Sequence, residues 1–391
     1  MSSSPRIAVI GAGPGGLVLA RLLHLAGAAP ELFECEPHAL ARPQGGTLDL
    51  HKETGQLALQ RAGLAADFLA IARYEDQGNR AYDKHGVLLF ADDEAADGDR
   101  PEVDRTALRQ ILLDALPAGC IRWGHRLRRI LPRADGAFDL EFPDKSVGPF
   151  DLVIGADGAW SQVRPLLSAY QPQYCGLTFI EFGIDDVDAS HPALSQLVGH
   201  GKIGVQGDGR GLIVQRNGNA HLRGYAIFRV PADWVEKTFD LASPASARAR
   251  LAQEFEGWAP VLLDLFRASN DHIVSRPIHA LPVGHHWPNR IGLTLIGDAA
   301  HLMSPFGGEG VNAAMLDAAE LARHLTEAGD WRDAVRNYES EMFARVIEPA
   351  GFAAEGAATM LSHLGHEPMI EHFKAHAAAR AQVAPSKLAH S

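Results

Sequence analysis

The sequence predicts an α/β protein: a parallel-sheet domain that the chain leaves and re-enters, an inserted antiparallel sheet, and helices at the C-terminal end. Three observations carry this. The β-branched apolar runs Arg6-Ile7-Ala8-Val9-Ile10, Phe150-Asp151-Leu152-Val153-Ile154 and Ile291-Gly292-Leu293-Thr294-Leu295-Ile296 read as strands buried on both faces, as parallel sheets require. Each runs into a glycine-bearing turn. Between about Tyr174 and Ile273 the texture changes to short alternating runs, such as Gly211-Leu212-Ile213-Val214 and Gly224-Tyr225-Ala226-Ile227-Phe228, separated by Gly, Asn and Asp turns.

After the first strand comes Gly11-Ala12-Gly13-Pro14-Gly15-Gly16, and from Leu17 to Ala26 apolar residues recur at helical spacing. Gly11 permits the tight turn, Gly13 lets the backbone approach a pyrophosphate, and Gly16 permits close helix–strand packing. The helix N-terminus offers free N–H groups to phosphate. A second strand, Glu31-Leu32-Phe33, ends in Glu34 at the distance where a carboxylate accepts ribose hydroxyls. The unit is Rossmann-like. Arg42 to His51 is a loop leading into an extended piece, followed by a helix around Glu53 to Ala62. A polar, acidic stretch from Ala91 to Arg100 marks an excursion, and Asp104 stands at a plausible N-cap of a helix through Leu113. Phe138 to Phe142 alternates as a strand.

The late segment Gly297-Asp298-Ala299-Ala300-His301-Leu302-Met303-Ser304-Pro305 suits a ribityl chain, and with the first glycine turn it specifies FAD. Helices are expected over Val311–Thr326, Trp331–Pro349 and Gly351–Leu364, with a frayed alanine-rich tail. The partition is residues 1–72, 100–173 and 271–345 for the FAD-binding domain, 73–99 and 174–270 for the substrate domain, and 346–391 for a C-terminal helix and tail.

Composition narrows the class. With 391 residues and 46% hydrophobic content the chain buries a large core, and a net charge of −12 argues against nucleic acid or an anionic membrane as partner. Cys35, Cys120 and Cys175 lack paired spacing and read as reduced thiols of a cytoplasmic protein, here expected to be monomeric. The apolar stretch Ile7–Leu25 contains Pro14, glycines and Arg21 and has no basic segment before it, so the nucleotide turn explains it better than a signal peptide. No histidine–carboxylate spacing suggests a metal.

These residues resemble the class A flavin-dependent aromatic hydroxylases of the para-hydroxybenzoate hydroxylase type. Three motifs match in order: the glycine turn with Glu34, Asp157-Gly158 after its strand, and Gly297-Asp298 before the turn Pro305-Phe306-Gly307-Gly308-Glu309-Gly310-Val311. Within the family, Gly45-Gly46-Thr47-Leu48-Asp49-Leu50-His51-Lys52 looks most like the tetracycline-inactivating monooxygenases. The resemblance implies that Gly11, Gly13, Gly15, Gly16 and Glu34 hold the adenosine diphosphate, and that Arg105 contacts the linking region. It further implies that Asp298 bonds the ribityl chain, Asp49 positions the ring, and Asp157-Gly158 braces the pyrophosphate turn. Pro305, Gly308, Gly310 and Val311 would face the flavin, with helix amides stabilising negative charge on its pyrimidine side. Arg42 would contact a transient NADPH. The implied chemistry is that of a flavin C4a-hydroperoxide transferring oxygen from O2 to an electron-rich carbon, with no protein nucleophile. Many relatives carry Arg just after the ribose glutamate, where this chain has Cys35, which is left without a role.

The substrate implied is a small polyphenolic molecule of several rings, a tetracycline among the candidates. Phe182, Arg223 and Phe228 on the antiparallel segment, with Pro305 and Gly307, would wall its pocket, against the alternative of ordinary sheet packing. His301 reads as structural rather than as a base, and His285-His286 as a surface turn. A biosynthetic or catabolic aromatic hydroxylase, a flavin-dependent reductase on the same scaffold, and a flavin-binding module without turnover are the alternatives.

Overall fold

The computed structural model describes residues 4–41, 45–92 and 100–383, with side chains through residue 375. The apolar runs form a five-stranded parallel sheet in the order Leu293–Leu295, Leu152–Gly155, Ile7–Ile10, Glu31–Phe33, Ile121–Arg122. Every residue of Ile7–Ile10 and Leu152–Gly155 is buried, as the continuous hydrophobic runs require. The helix Pro14–Leu25 packs its Leu17, Leu19 and Leu23 into that core, and the helix Glu309–Glu327 lies against it.

The inserted segment forms a seven-stranded sheet: Val274–Ala280, Gln173–Ile184, His221–Arg229, Arg210–Asn217, Gly201–Gly207, Gly78–Asp83, Leu88–Asp92. Its pairs are antiparallel except for Gly201–Gly207 with Gly78–Asp83, which the long connection between them runs parallel. The strand Val274–Ala280 belongs to this sheet although it lies past residue 270. Side chains alternate across the sheet. Ile180, Phe182, Ile184, Ala226 and Phe228 point into an apolar core beneath the helices Pro244–Glu254 and Pro260–Arg267. Leu177, Phe179 and Ile227 point the other way, toward Ala357 and Met360.

Asp104 stands at the N-cap of the helix Arg105–Asp114 as expected, but its carboxylate makes no cap hydrogen bond; it pairs with Arg73 at 3.0 Å and accepts the Gly218 N–H at 3.3 Å. Of the alanine-rich end expected to fray, the part through Val383 continues the helix Glu367–Val383, where Phe373 is buried and Met369 seats on the strand residue Gly204, and residues 384–391 lie outside the described residues. None of the described helices is long and apolar enough to cross a membrane.

Candidate active site

A cavity of about 1690 Å³ runs between the two sheets, from the glycine turn Gly13–Gly16 past Asp298 and Pro305–Val311 to the inner face of the seven-stranded sheet. The glycines of the turn have separate duties. A side chain on Gly11, at φ +108°, would put Cβ 2.3 Å from the Ala156 carbonyl, and one on Gly16 would put it 2.0 Å from the Gly11 carbonyl. Both positions are therefore set by packing. Gly13, in contrast, faces open space, with nothing within 4 Å of where a Cβ would stand. The opening lies where the helix Pro14–Leu25 presents its first N–H groups, which suits a pyrophosphate.

Glu34 stands beside this turn and off the cavity wall. Its Oε2 accepts the Ala12 N–H at 2.6 Å and its Oε1 the Glu36 N–H at 2.9 Å, so the carboxylate holds the loop rigid. The Asp157-Gly158 segment packs directly on Gly11, with Asp157 Cα 3.0 Å from where a Gly11 side chain would begin, and Gly158 lines the cavity. Arg105 lines it at the start of its helix, its N–H donated to the Gly46 carbonyl at 3.1 Å. Arg42 lies outside the described residues.

Asp298 lines the middle of the cavity, and no hydrogen bond from a described residue reaches its carboxylate. Burial raises its pKa, opposed by the charges of His301, Arg105 and Arg164. A half-buried carboxyl that faces the cavity without a donor among the described residues is a ready acceptor for ligand hydroxyls. Beyond it, Gly308 sits at φ +67°, where an L side chain is strained, and starts the helix Glu309–Glu327 with no side-chain cap. The uncapped amides of Gly310 and Val311 thus line the cavity at the positive end of a 19-residue helix.

Sequence reasoning missed what secures this wall. Asn312 is fully buried; its Oδ1 accepts the His51 N–H at 2.9 Å and the Thr54 hydroxyl at 3.2 Å, and its Nδ2 donates to the carbonyls of Asp49 at 2.9 Å and Gly308 at 3.2 Å. One side chain therefore fastens the Gly45–Lys52 segment to the late helix. A polar residue inside the apolar spacing of that helix was the available signal. His51 lies between Asp49, at 3.1 Å, and Glu309, at 3.4 Å. Burial disfavours its charged form, but hydrogen bonds and charges from both carboxylates prevail and raise it to about 9. Asp49, despite burial, is held at about 2 mainly by that imidazolium.

The substrate end differs from the residues expected there. Phe182 and Phe228 are buried in the core on the far face, Phe182 against Phe266 and Phe228 against Trp234 and Phe255. The two-residue period decides it: the neighbours of opposite parity, Phe179, Glu181 and Tyr225, face the cavity instead. Arg223 shares their face but stands behind Glu181, to which it is ion-paired, and Arg276 holds the other Glu181 oxygen at 3.1 Å. Pro305 and Gly307 line the cavity.

His301 is buried and bonded to Asp317 at 2.5 Å, off the cavity wall, so its place is structural. His286 is exposed, but His285 is buried, between the Ala300 carbonyl at 2.6 Å and the Ser168 hydroxyl at 2.8 Å, which corrects the expectation of a surface turn for both. Cys35 is an exposed residue whose thiol is partly sheltered, which with the neighbouring Glu34 raises its pKa.

An FAD-binding domain family matches residues 5–345. The chain belongs to that family. It is 31% identical to the monooxygenase penA of Penicillium thymicola, over 87% of this chain and 89% of that one. Among solved structures it is similar to Klebsiella pneumoniae HpxO complexed with FAD and uric acid, with a TM-score of 0.76 and 23% identity over 95% of this chain and 93% of that one. It is also similar to the tetracycline destructase Tet(51), with a TM-score of 0.71 and 22% identity over 98% and 97% of the two chains. The protein is an FAD-dependent monooxygenase, which sets aside the reductase and the inert binding module.

The residues of this monooxygenase fit FAD: Gly13–Gly16 would take the pyrophosphate, Asp298 the ribityl hydroxyls, and Asp49 with the Gly308–Val311 amides the ring. Bound there, FAD supplies two-electron transfer and oxygen activation. The chain orients: the helix N-terminus favours negative charge beside it, and the His51 imidazolium balances the carboxylates of Asp49 and Glu309 at the cavity wall.

Proposed function

We propose that this monooxygenase takes electrons from NADPH and inserts one oxygen atom into a flat, electron-rich molecule of several rings, with tetracyclines a leading candidate class. The observation that carries the reading is the size and continuity of the cavity. About 1690 Å³ exceeds the roughly 300–1,000 Å³ usual for one drug-sized ligand, so a dinucleotide and a multi-ring molecule have room together. Its substrate end is walled by Phe179, Ile213, Phe306, Phe352 and Met360, apolar groups suited to ring faces. The likeness to the tetracycline destructase supports the candidate class, and the likeness to the monooxygenase penA is equally compatible with the second reading, an aromatic hydroxylase of biosynthesis or catabolism. Pro305 and Gly307 contribute to the same wall.

We place the split FAD-binding domain around the parallel sheet and the substrate domain around the seven-stranded sheet, in a cytoplasmic protein whose three thiols are unpaired. The test is mass spectrometry of tetracyclines and smaller phenols after incubation with NADPH under oxygen-18 gas. A tetracycline product carrying one labelled oxygen is expected. Unlabelled tetracyclines beside a labelled simple phenol would refute the multi-ring assignment, and absence of NADPH oxidation with every substrate would refute the electron donor.

A further inference from the structure

The register of the seven-stranded sheet places a polar row on its cavity face. Arg223 lies opposite Gln215, and Gln215 opposite Lys202. Two of these three are committed: Arg223 to Glu181, and Gln215, whose Nε2 donates to Glu102 at 3.1 Å. Lys202 lines the cavity with no hydrogen bond or ion pair to any described residue. Its charge is nevertheless felt nearby, favouring ionised Asp49 and Glu102 and disfavouring protonation of His372. Neither carboxyl claims it. Asp49 shares the His51 imidazolium with Glu309, Glu102 is pushed up to about 7 by burial and by Asp49, and neither makes an ion pair with Lys202.

Further along the same strand, on the same face, Gln206 is 7% exposed and its amide oxygen has no partner; its Nε2 touches only the Met369 sulfur, at 3.9 Å. The cavity face of this strand therefore carries a cation and, about 13 Å further along, an acceptor, neither satisfied by the described residues, beside the apolar wall of Ile213 and Met360. A half-buried ammonium without a counter-charge is costly, and a ligand anion is the group that would relieve it.

We propose that Lys202 is the substrate anchor: its ammonium holds an anionic oxygen, a deprotonated ring hydroxyl or a carboxylate, at one edge of a flat aromatic substrate. This rests on the hydroxylase reading and adds the ionised edge to it. The anchor fixes which end of the molecule lies at the sheet and so which ring carbon faces Asp49 and the Gly308–Val311 amides.

The probes are 2-naphthoate and 2-naphthamide, isosteric and differing in charge, titrated into the FAD-loaded protein and read by perturbation of the flavin absorbance. The wild type should bind naphthoate about tenfold tighter, the ratio that one charge-assisted contact supplies. Lys202→Met should lose that preference while keeping naphthamide affinity within about twofold, and Lys202→Arg should keep it. Equal affinity in the wild type, binding of neither probe, or a preference that survives Lys202→Met would overturn the anchor. Because arginines also line the cavity, the wild-type ratio alone does not decide; should Lys202→Met lose FAD, the same comparison on Lys202→Gln does. Oxygen-18 product formed without anion preference sinks the anchor alone, whereas anion preference without NADPH-driven oxygenation sinks the hydroxylase reading and leaves Lys202 an anion site.

Discussion

Replacing Asn312 with alanine isolates the joint between the Gly45–Lys52 segment and the late helix. The substitution strands three buried backbone groups, the His51 N–H and the carbonyls of Asp49 and Gly308, while the Thr54 hydroxyl can turn elsewhere. Each stranded group costs about 1–3 kcal/mol, and the low end applies because water can enter the vacated space, giving about 3 kcal/mol in all. Over 391 residues, the usual unfolding entropy per residue converts this to a fall in Tm of about 4 °C. Loss of FAD should accompany it, since Asp49 and Gly308 both line the cavity. Asn312→Asp keeps the acceptor for His51 but sets a carboxylate oxygen against two carbonyls, so it should be no better than alanine. The assay follows flavin fluorescence on heating, with flavin content measured after gel filtration. An Asn312→Ala protein that melts within about 1 °C of the wild type and retains its FAD would refute the account of this joint.

Three other outcomes follow from the same geometry. Gly13→Asp should abolish FAD binding yet leave the far-ultraviolet circular dichroism of the apoprotein unchanged, because the new side chain enters open space; a variant with full flavin content would contradict the placement of the pyrophosphate. Asp298→Ala should weaken FAD binding by about 1–3 kcal/mol through a lost charge-assisted acceptor, without destabilising the apoprotein, since that carboxyl is buried at a cost; an unchanged FAD dissociation constant would show that the carboxylate faces elsewhere. His51, raised from 6.5 to about 9, contributes stability that is fully present below pH 6.5 and is lost as pH rises through about 9. His51→Gln should therefore flatten the decline in urea midpoint across that window, and an equally steep decline in the variant would show that another group titrates.

The nucleotide half of the protein was legible in the sequence because its signals are local. A buried strand, a glycine turn and a helix start lie within a few residues of one another at Ile7–Leu25, and the steric demand at Gly16 comes from the Gly11 carbonyl of the same turn, whereas that at Gly11 comes from the distant Ala156–Asp157 backbone. The late turn at Gly297–Val311 was legible for the same reason. The substrate half was not. Phe182 and Phe228 looked like pocket residues on composition, but a strand turns successive side chains to opposite faces, and the sequence does not say which face a helix layer will cover. Only the packing of Pro244–Glu254 and Pro260–Arg267 on one side made Phe179, Glu181 and Tyr225 the cavity residues. Distance in the chain hid the rest. Asn312 meets His51 across 261 positions, and Lys202 stands opposite Gln215 through strand register, contacts that sequence alone does not specify. The strand, glycine turn and helix start wrote the cofactor turn locally into the sequence, while facing and register, which are properties of the packed sheets, decided the substrate wall.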